Sequence, residues 1–204
     1  MWKSGILSRP VLTFRKGTSI YPFKALSSGF CPLTKMRKVT VKFCSTTKFS
    51  DELKDIAKAL DEGYRLYRGF SETFCTDFEY YLEDVASEDE LEKVSPGGAD
   101  VTVYAVPDET YVPEDRDYYI PLKQLTASAG EPTQMINYST LQRGSRNPYI
   151  LFNLALNIYG KAGGKAWGIA GKLEGDVHIG VDIAGNYAVA ALLTDPGRPE
   201  VTWE

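Results

Sequence analysis

One stretch of this 204-residue chain, between Tyr118 and Lys172, has a clear excess of basic over acidic residues. The stretch contains a single acid, Glu131, although the whole chain carries a formal net charge of −4. Its lysines and arginines are Lys123, Arg143, Arg146, Lys161, Lys165 and Lys172. A local cationic segment in an acidic protein indicates an anionic ligand more strongly than the overall charge does.

A different chemical group follows this stretch, where the alternating apolar strand VHIGVDIA carries Asp182. In a strand, His178, Gly180 and Asp182 share one face, and we expect the other face, with Ile179 and Val181, to enter the core. Two-metal phosphodiester hydrolysis needs several carboxylates around ions about 4 Å apart, so Asp182 alone cannot build such a site. The single histidine of the chain argues against a histidine-based metal site or triad.

Four segments, IYGKAGGKAW, HIGVDIAG, PVLTFRKG and PFKALSSGFCP, resemble motifs of the MID domain of Argonaute proteins and of the start of their PIWI domain. The segment IYGKAGGKAW is similar to the family's KxGGxPW signature, with Ala166 where proline is common. The strand HIGVDIAG is similar to the strand that supplies the family's first metal-binding aspartate. Upstream, PVLTFRKG and PFKALSSGFCP resemble the segments that lead into the family's MID domain, with Ala25 where glycine is usual.

The resemblance implies a pocket for the 5′ phosphate of a nucleic-acid strand. The family's aromatic or basic residue, the lysine four positions on, the glutamine ten or eleven later and the lysine of the following helix match Tyr119, Lys123, Gln134 and Lys161. On a helix, Tyr119 and Lys123 would share a face. The lysines would supply charge and Gln134 a neutral donor, while Tyr119 would hydrogen-bond the phosphate or stack on the terminal base. The alternative is a set of surface polar residues around a partly buried tyrosine.

The resemblance implies an α/β fold, in which a Rossmann-like parallel sheet is followed by the first β-hairpin of an RNase H-like fold. The implied function is to anchor the 5′-phosphorylated end of a single-stranded guide, RNA or DNA, for silencing of a complementary target strand. A cytoplasmic location and an effector protein as a further partner are part of the same expectation. The implied cofactor is a divalent metal, Mg²⁺ or Mn²⁺, at the phosphate and at a partial catalytic site containing Asp182.

Two alternative functions stay open. One is a guide-directed endonuclease, if a full PIWI domain is present; we expect the 204 residues alone to cut nothing, because one carboxylate cannot hold two metals. The other is a Rossmann-like module for a small molecule, although the GxGxxG fingerprint of dinucleotide sites is absent.

Cysteine spacing, hydropathy and charge indicate the cellular compartment in which the protein is expected. Cys31, Cys44 and Cys75 are odd in number and lack metal-ligand spacing, so we predict reduced thiols in a cytosolic protein. No apolar run approaches the roughly 18 residues of a membrane span. The first 50 residues hold ten basic residues and no acid. They are typical of a transit peptide or of a basic arm near a polyanion, and the family-like motifs favour the arm.

Alternating strands and helices predict a parallel sheet with helices on both faces. The strands are expected in VTVKFCS, DVTVYAVPD, PTQMINYSTL and KAWGIA. The helices are expected in FSDELKDIAKALDEGY, over 121–129 and from Pro148 to about Ala162. The acidic segment FEYYLEDVASEDELEKV is predicted to be a solvated helix and loop. Ligands of such sheets are expected outside the carboxyl ends of the strands.

The chain is predicted to contain three segments. Residues 1–36 are expected to be extended and without a core of their own, 37–172 to form the MID-like domain, and 173–204 to be the truncated start of a PIWI domain. Gly185-Asn186 between two apolar strands predicts a two-residue hairpin. Because an isolated hairpin is marginal in water, we expect a third strand from beyond Glu204 to complete it.

Overall fold

A computed structural model describes residues 9–108, 118–171, 178–184, 187–195 and 198–203. Its helices are α1 (Pro22–Ser27), α2 (Ser50–Glu62), α3 (Phe70–Phe74), α4 (Tyr119–Ala127), α5 (Tyr138–Gly144) and α6 (Pro148–Lys161). Its strands are β1 (Leu12–Phe14), β2 (Gly17–Ser19), β3 (Lys38–Thr46), β4 (Asp77–Val85), β5 (Val101–Val106), β6 (Thr133–Asn137), β7 (Gly168–Ile169), β8 (His178–Ala184), β9 (Tyr187–Asp195) and β10 (Arg198–Trp203). Short 3₁₀ helices cover Thr47–Phe49 and Glu88–Lys93.

Four parallel strands in the order β4-β3-β5-β6 form the central sheet. The two inner strands are almost wholly buried: β5 at every position, and β3 everywhere except Lys38 and Thr40. Strands buried on both sides are typical of parallel sheets that carry helices on both faces. The structure thus confirms the predicted Rossmann-like sheet.

Helices cover both faces of this sheet. On one face, α2 and α6 pack over a large core that includes Val41, Phe43 and Ile158. On the other face, α4 and the 3₁₀ helix Glu88–Lys93 cover a smaller core. Helix α2 presents Leu53, Ile56, Ala57 and Leu60 to the large core at the helical spacing that the sequence predicted.

The amino-terminal segment contributes to the large core, and besides the short strands and extended chain that the sequence indicated it contains the helix α1. Phe14 and Leu26 are buried, and Leu26 lies on the short helix α1. Strand β1 lies between β2 and β7 in a small antiparallel sheet. The prediction that KAWGIA is a strand of the main sheet was therefore wrong. This segment pairs with the amino-terminal segment instead. Leu33 and Thr34 donate backbone hydrogen bonds to the carbonyls of Ala166 and Lys165.

The acidic segment is mainly an edge strand, which corrects the predicted helix and loop. In β4, Phe78, Tyr80 and Leu82 pack against the large core, and the residues that alternate with them are the acids Asp77, Glu79 and Glu83 together with Tyr81. The period of two is that of a strand. Acidic side chains are tolerated here because β4 lies at the edge of the sheet, where charge also discourages pairing with other chains.

Two of the three cysteines form a disulfide, which corrects the prediction of reduced thiols. Cys31 and Cys75 are bonded, with their Cα atoms 5.7 Å apart. They are 44 residues apart in sequence, but α1 packs against α3, and each cysteine lies just after one of these helices. Spacing along the chain could not show this contact. Cys44 is a free, buried thiol in β3.

The carboxyl-terminal strands form a separate antiparallel sheet in the order β10-β9-β8. Ala184 pairs with Tyr187, which confirms the two-residue connection of the predicted hairpin. The third strand, β10, comes from within the chain, so the expectation of a strand from beyond Glu204 was wrong. Ile179 and Val181 were expected in the core, but they are 64% and 66% exposed because this face of β8 stays accessible in the described part of the chain.

Gly185 and Asn186 lie outside the described residues, and the proposed domain boundaries at 36 and 172 stay a prediction. Among the helices that the structure describes, none combines the length and the apolar character needed to cross a bilayer.

Candidate functional site

Helix α4 places Tyr119 and Lys123 one turn apart, as their spacing predicted. The Nζ atom of Lys123 lies 4.7 Å from the centroid of the Tyr119 ring, which is a cation–π contact. The helix carries Pro121 in its first turn, where a missing backbone N–H costs no helical hydrogen bond. It is closed by Gly130 with φ of 70°, after which the N–H of Glu131 returns to the carbonyl of Thr126.

Helix α6 delivers Lys161 as its last residue. The Oδ1 atom of Asn147 accepts hydrogen bonds from the N–H groups of Tyr149 and Ile150 at 3.0 and 3.3 Å, and Pro148 takes the first helical position. This confirms the predicted start of the helix. A lysine at the carboxyl end is also stabilised by the helix dipole.

Lys161 and Gln134 are in direct contact. The Nζ of Lys161 donates to Oε1 of Gln134 at 2.7 Å and to the carbonyl of Thr133. The Nε2 of Gln134 donates to the carbonyl of Met135 at 2.7 Å. The glutamine amide thus holds the lysine ammonium in place, and one of the three ammonium protons is left for a further acceptor.

Lys123 and Lys161 line the same cavity, whose volume is about 360 Å³. We call it the lysine cavity; its other lining residues are Thr126, Ala127, Gly130, Glu131, Pro132 and Thr133. Burial lowers the pKa of Lys161, and the positive charge of Lys123 lowers it further. Two cations that disfavour each other's charge would both be stabilised by an anion between them.

Glu131 is the lining residue whose role sequence analysis missed. It is only 5% exposed. Its carboxylate accepts a hydrogen bond from the hydroxyl of Thr102 and, at 2.5 Å, another from the N–H of Gly97. Both oxygens are therefore engaged by the sheet and the neighbouring loop. Its isolation as the only acid of a cationic stretch was a signal in the sequence, but nothing there indicated its partners.

The lysine cavity lies at the amino end of β6, because Thr133 and Gln134 are the first two residues of that strand. The general rule for open α/β sheets had placed ligands at the carboxyl ends. Those ends carry acids instead: Asp84 accepts from Ser50 at 2.6 Å, and Glu88 accepts from Tyr138 at 3.1 Å. Carboxylates at this edge would repel an anion.

The other predicted chemical groups do not join the lysine cavity. Arg143 donates to the carbonyl of Ser139 at 3.0 Å, and neither it nor Arg146 nor Lys165 lines the cavity. Lys172 lies outside the described residues. The backbone of Asp182 pairs with that of Val189, but nothing is described of its side chain. No group of three or more potential metal ligands occurs within the part of the chain that the structure describes.

Comparison with known proteins found matches only among solved structures. No protein-family model matches the sequence, and no curated protein matches it. Clostridium butyricum Argonaute, solved with a guide DNA and a 19-mer target DNA, matches over 95% of this chain and 29% of its own, with 20% identity and a TM-score of 0.65. The chain has the fold of an Argonaute segment.

Other Argonaute-like structures match in the same way. Marinitoga piezophila Argonaute, solved with a 5′-OH guide RNA and target DNA, matches 98% of this chain and 34% of its own, with 13% identity and a TM-score of 0.67. Drosophila Piwi matches 92% and 27%, with 17% identity and a TM-score of 0.63. The chain thus spans only about a third or less of these proteins. At such identities the comparison confirms the Argonaute-like fold that the motifs predicted.

Proposed function

We propose that this chain binds the 5′ end of a single-stranded guide nucleic acid, with the 5′ phosphate in the lysine cavity. The observation that carries the proposal is the pair Lys123 and Lys161, which line one cavity while the charge of the first lowers the pKa of the second. A phosphate monoester has close to two negative charges and three acceptor oxygens, so it would stabilise both ammonium groups.

Each candidate residue has a distinct part in this proposal. Lys123 supplies a point charge, and Lys161 supplies a charge and its remaining N–H donor. Gln134 acts mainly by positioning Lys161, with which it shares a hydrogen bond of 2.7 Å. Tyr119 is 53% exposed at the start of α4 and offers its ring to the terminal base.

The matched structures support a guide strand as the ligand. Two of them are complexes with a guide and a target, which favours a complementary target strand as the second partner. One guide has a 5′ hydroxyl, so the fold by itself does not select a phosphate. The two lysines of the cavity favour the phosphate here. An effector protein remains part of the proposal only through the family resemblance.

The implied divalent metal fits the described residues poorly. Glu131 is the only carboxylate that lines the lysine cavity, and Thr102 and Gly97 already engage its two oxygens. Hard divalent cations are held by several oxygen ligands, which this lining does not supply. We therefore assign neutralisation of the phosphate to Lys123 and Lys161.

A titration of the full chain with matched single strands tests the proposal. The strands have the same sequence and carry either a 5′ phosphate or a 5′ hydroxyl, and binding is measured in a metal-free buffer containing a chelator and again with Mg²⁺. We expect tighter binding of the phosphorylated strand in both buffers and weaker binding at higher salt. Equal affinity for the two strands would refute the assignment of the lysine cavity to a 5′ phosphate.

A further inference from the structure

A second cavity, of about 500 Å³, lies between α1, the loop 63–69 and the start of α6. It shares no lining residue with the lysine cavity. The lining residues that matter below are Phe23, Lys24, Ser27, Arg65, Leu66 and Tyr149. The lining contains three cations and no acid, so an anionic group is favoured in this cavity as well.

Aromatic and apolar side chains form one wall of this second cavity. Tyr149 is 58% exposed and Leu66 is 60% exposed. The Phe23 ring is 5.2 Å from that of Tyr149 and 4.7 Å from the buried ring of Phe152, which fixes its position. The exposed Tyr149 ring, supported at a tilt by the fixed Phe23 ring, is a flat group on which a nucleobase can stack.

Two cations and a hydroxyl lie beside this wall, and the guanidinium of one cation, Arg65, lies 5.2 Å from the centroid of the Tyr64 ring. Within the described residues, neither Lys24 nor Arg65 forms an ion pair, whereas Arg68 is already paired with Glu72 at 2.7 Å. The hydroxyl of Ser27 is buried and has no hydrogen-bond partner. A buried hydroxyl without a partner is unfavourable, and a ligand oxygen would stabilise it once the Ser27 side chain turned towards the cavity.

The loop that presents Arg65 and Leu66 is held rigidly. Tyr64 and Tyr67 exchange backbone hydrogen bonds of 2.8 and 3.1 Å, and the hydroxyl of Tyr67 donates to the carbonyl of Leu60 at 2.9 Å. Arg65 has φ of 53°, a left-handed conformation that non-glycine residues rarely adopt. Such conformations persist where the surrounding structure enforces them, and they are frequent at ligand clamps.

We propose that this second cavity binds an unpaired nucleotide of a nucleic-acid strand. The base would stack on Tyr149 and contact Leu66, and the phosphate would lie between Lys24 and Arg65, with Ser27 as an additional donor. An acidic peptide is the rival ligand, but it would use the cations and leave the exposed ring without a partner. The proposal shares the ligand class with the proposed function and does not depend on 5′-end binding.

The test uses a fluorescent single strand with a 5′ hydroxyl, so that the phosphate contribution of the lysine cavity is absent. Binding to the full chain is measured by anisotropy over a range of salt concentrations. We expect Tyr149→Ala to weaken binding roughly fivefold or more and Tyr149→Phe to retain it, because the ring makes the contact. Lys24→Glu should weaken binding and lower the salt slope by about 0.7, the value for one lost phosphate contact on a single strand.

The matched control is Lys54→Glu, which makes the same charge change at another exposed helical lysine. The proposal is overturned if Lys24→Glu binds no more weakly than this control, or if Tyr149→Ala binds like the unmodified chain. Displacement of the strand by a poly-glutamate peptide of equal charge would overturn it in favour of an acidic peptide. If Tyr149→Ala does not fold, Arg65→Asn decides, since asparagine tolerates the left-handed conformation but carries no charge.

The outcome separates the two sites. Sensitivity to Tyr149→Ala together with equal affinity for 5′-phosphate and 5′-hydroxyl strands would support the second cavity and reject the proposed function. A preference for the 5′-phosphate strand without sensitivity to Tyr149→Ala would support the proposed function and reject the second cavity.

Discussion

The Nζ of Lys161 donates a hydrogen bond of 2.7 Å to Oε1 of Gln134, joining the last residue of α6 to the second residue of β6. Together with the bond to the carbonyl of Thr133, this contact fixes a charge that burial disfavours. The protein therefore maintains a partly desolvated cation at the edge of the lysine cavity. Perturbed pKa values of this kind cluster at functional sites.

Removal of either lysine should abolish most of the preference for a phosphorylated strand. Charge-assisted hydrogen bonds contribute about 1.5–3 kcal/mol, so we expect Lys123→Ala and Lys161→Ala each to weaken phosphate-dependent binding tenfold or more. The measurement is the ratio of dissociation constants for 5′-phosphate and 5′-hydroxyl strands. Lys165→Ala makes the same charge change outside the cavity and should leave the ratio unchanged; an equal loss in this control would mean that general charge is responsible.

The pKa of Lys161 should rise when its surroundings become more negative. Burial, followed by the charge of Lys123, lowers this pKa in the folded chain. Because the charged form is disfavoured on folding, Lys161 destabilises the protein at neutral pH, and this effect is relieved as pH rises through its folded pKa. NMR titration of the lysine side chains should show an increase in Lys123→Ala and on binding a 5′-phosphorylated strand. An unchanged value in both would show that the two ammonium groups do not interact.

The ring of Tyr119 should matter more than its hydroxyl. If it stacks on the terminal base, Tyr119→Ala should cost about 1–3 kcal/mol of binding free energy, and Tyr119→Phe much less. The measurement is again strand affinity, supported by circular dichroism to confirm that both variants are folded. If Tyr119→Phe lost as much strand affinity as Tyr119→Ala, the contact would be made by the hydroxyl and not by the ring.

The close approach of two loop ends makes Gly69 intolerant of a side chain. A Cβ atom at this position would lie 2.2 Å from the carbonyl oxygen of Asp61. Gly130 also has a positive φ, but a Cβ there meets nothing within 4 Å. We expect Gly130→Ala to lower the free energy of unfolding by about 1 kcal/mol and Gly69→Ala by roughly 1–3 kcal/mol more. Urea denaturation measures both, and equal losses would mean that the loop adjusts without strain.

The Cys31–Cys75 disulfide should be a major source of stability. Closing a segment of 44 residues reduces the entropy of the unfolded chain by an amount equivalent to about 4 kcal/mol at 25 °C. We expect a dithiol reductant, or the variant Cys31→Ser/Cys75→Ser, to shift the urea midpoint down by a corresponding amount. Thiol titration of the unreduced, denatured chain should detect Cys44 alone. Three reactive thiols would instead restore the original prediction from the sequence.

Local patterns predicted much of this fold because several elements obey short-range rules. The alternating residues of β3 and β5, the cap of α6 by Asn147 and the glycine after α2 were all visible in the sequence. Strand β4 was missed because its acids masked a clear alternation of Phe78, Tyr80 and Leu82. Its place at a sheet edge, which makes those acids acceptable, depends on strand order and cannot be inferred from one segment.

The sequence proposed the members of the candidate site but could not indicate their geometry. Family-like spacing proposed Tyr119, Lys123, Gln134 and Lys161. In the structure the two lysines line one cavity, while Tyr119 contacts Lys123 and Gln134 contacts Lys161 without lining the cavity themselves. The role of Gln134 as the partner of Lys161 depends on how α6 packs against β6. The engagement of Glu131 by Thr102 and Gly97 likewise joins residues about 30 positions apart, and no local pattern encodes such contacts.

Strand order in the central sheet has an electrical consequence. β4, with Asp77, Glu79, Glu83 and Asp84, forms one edge, and β6, beside the lysine cavity, forms the other. Three inter-strand spacings separate these edges, or about 14 Å. That exceeds the Debye length of about 8 Å at physiological ionic strength, so solvent-exposed charges at the two edges are largely screened from each other through the solvent. Among the described residues the charge is therefore unevenly distributed across the sheet, and we expect an anionic ligand to approach the β6 edge rather than the β4 edge.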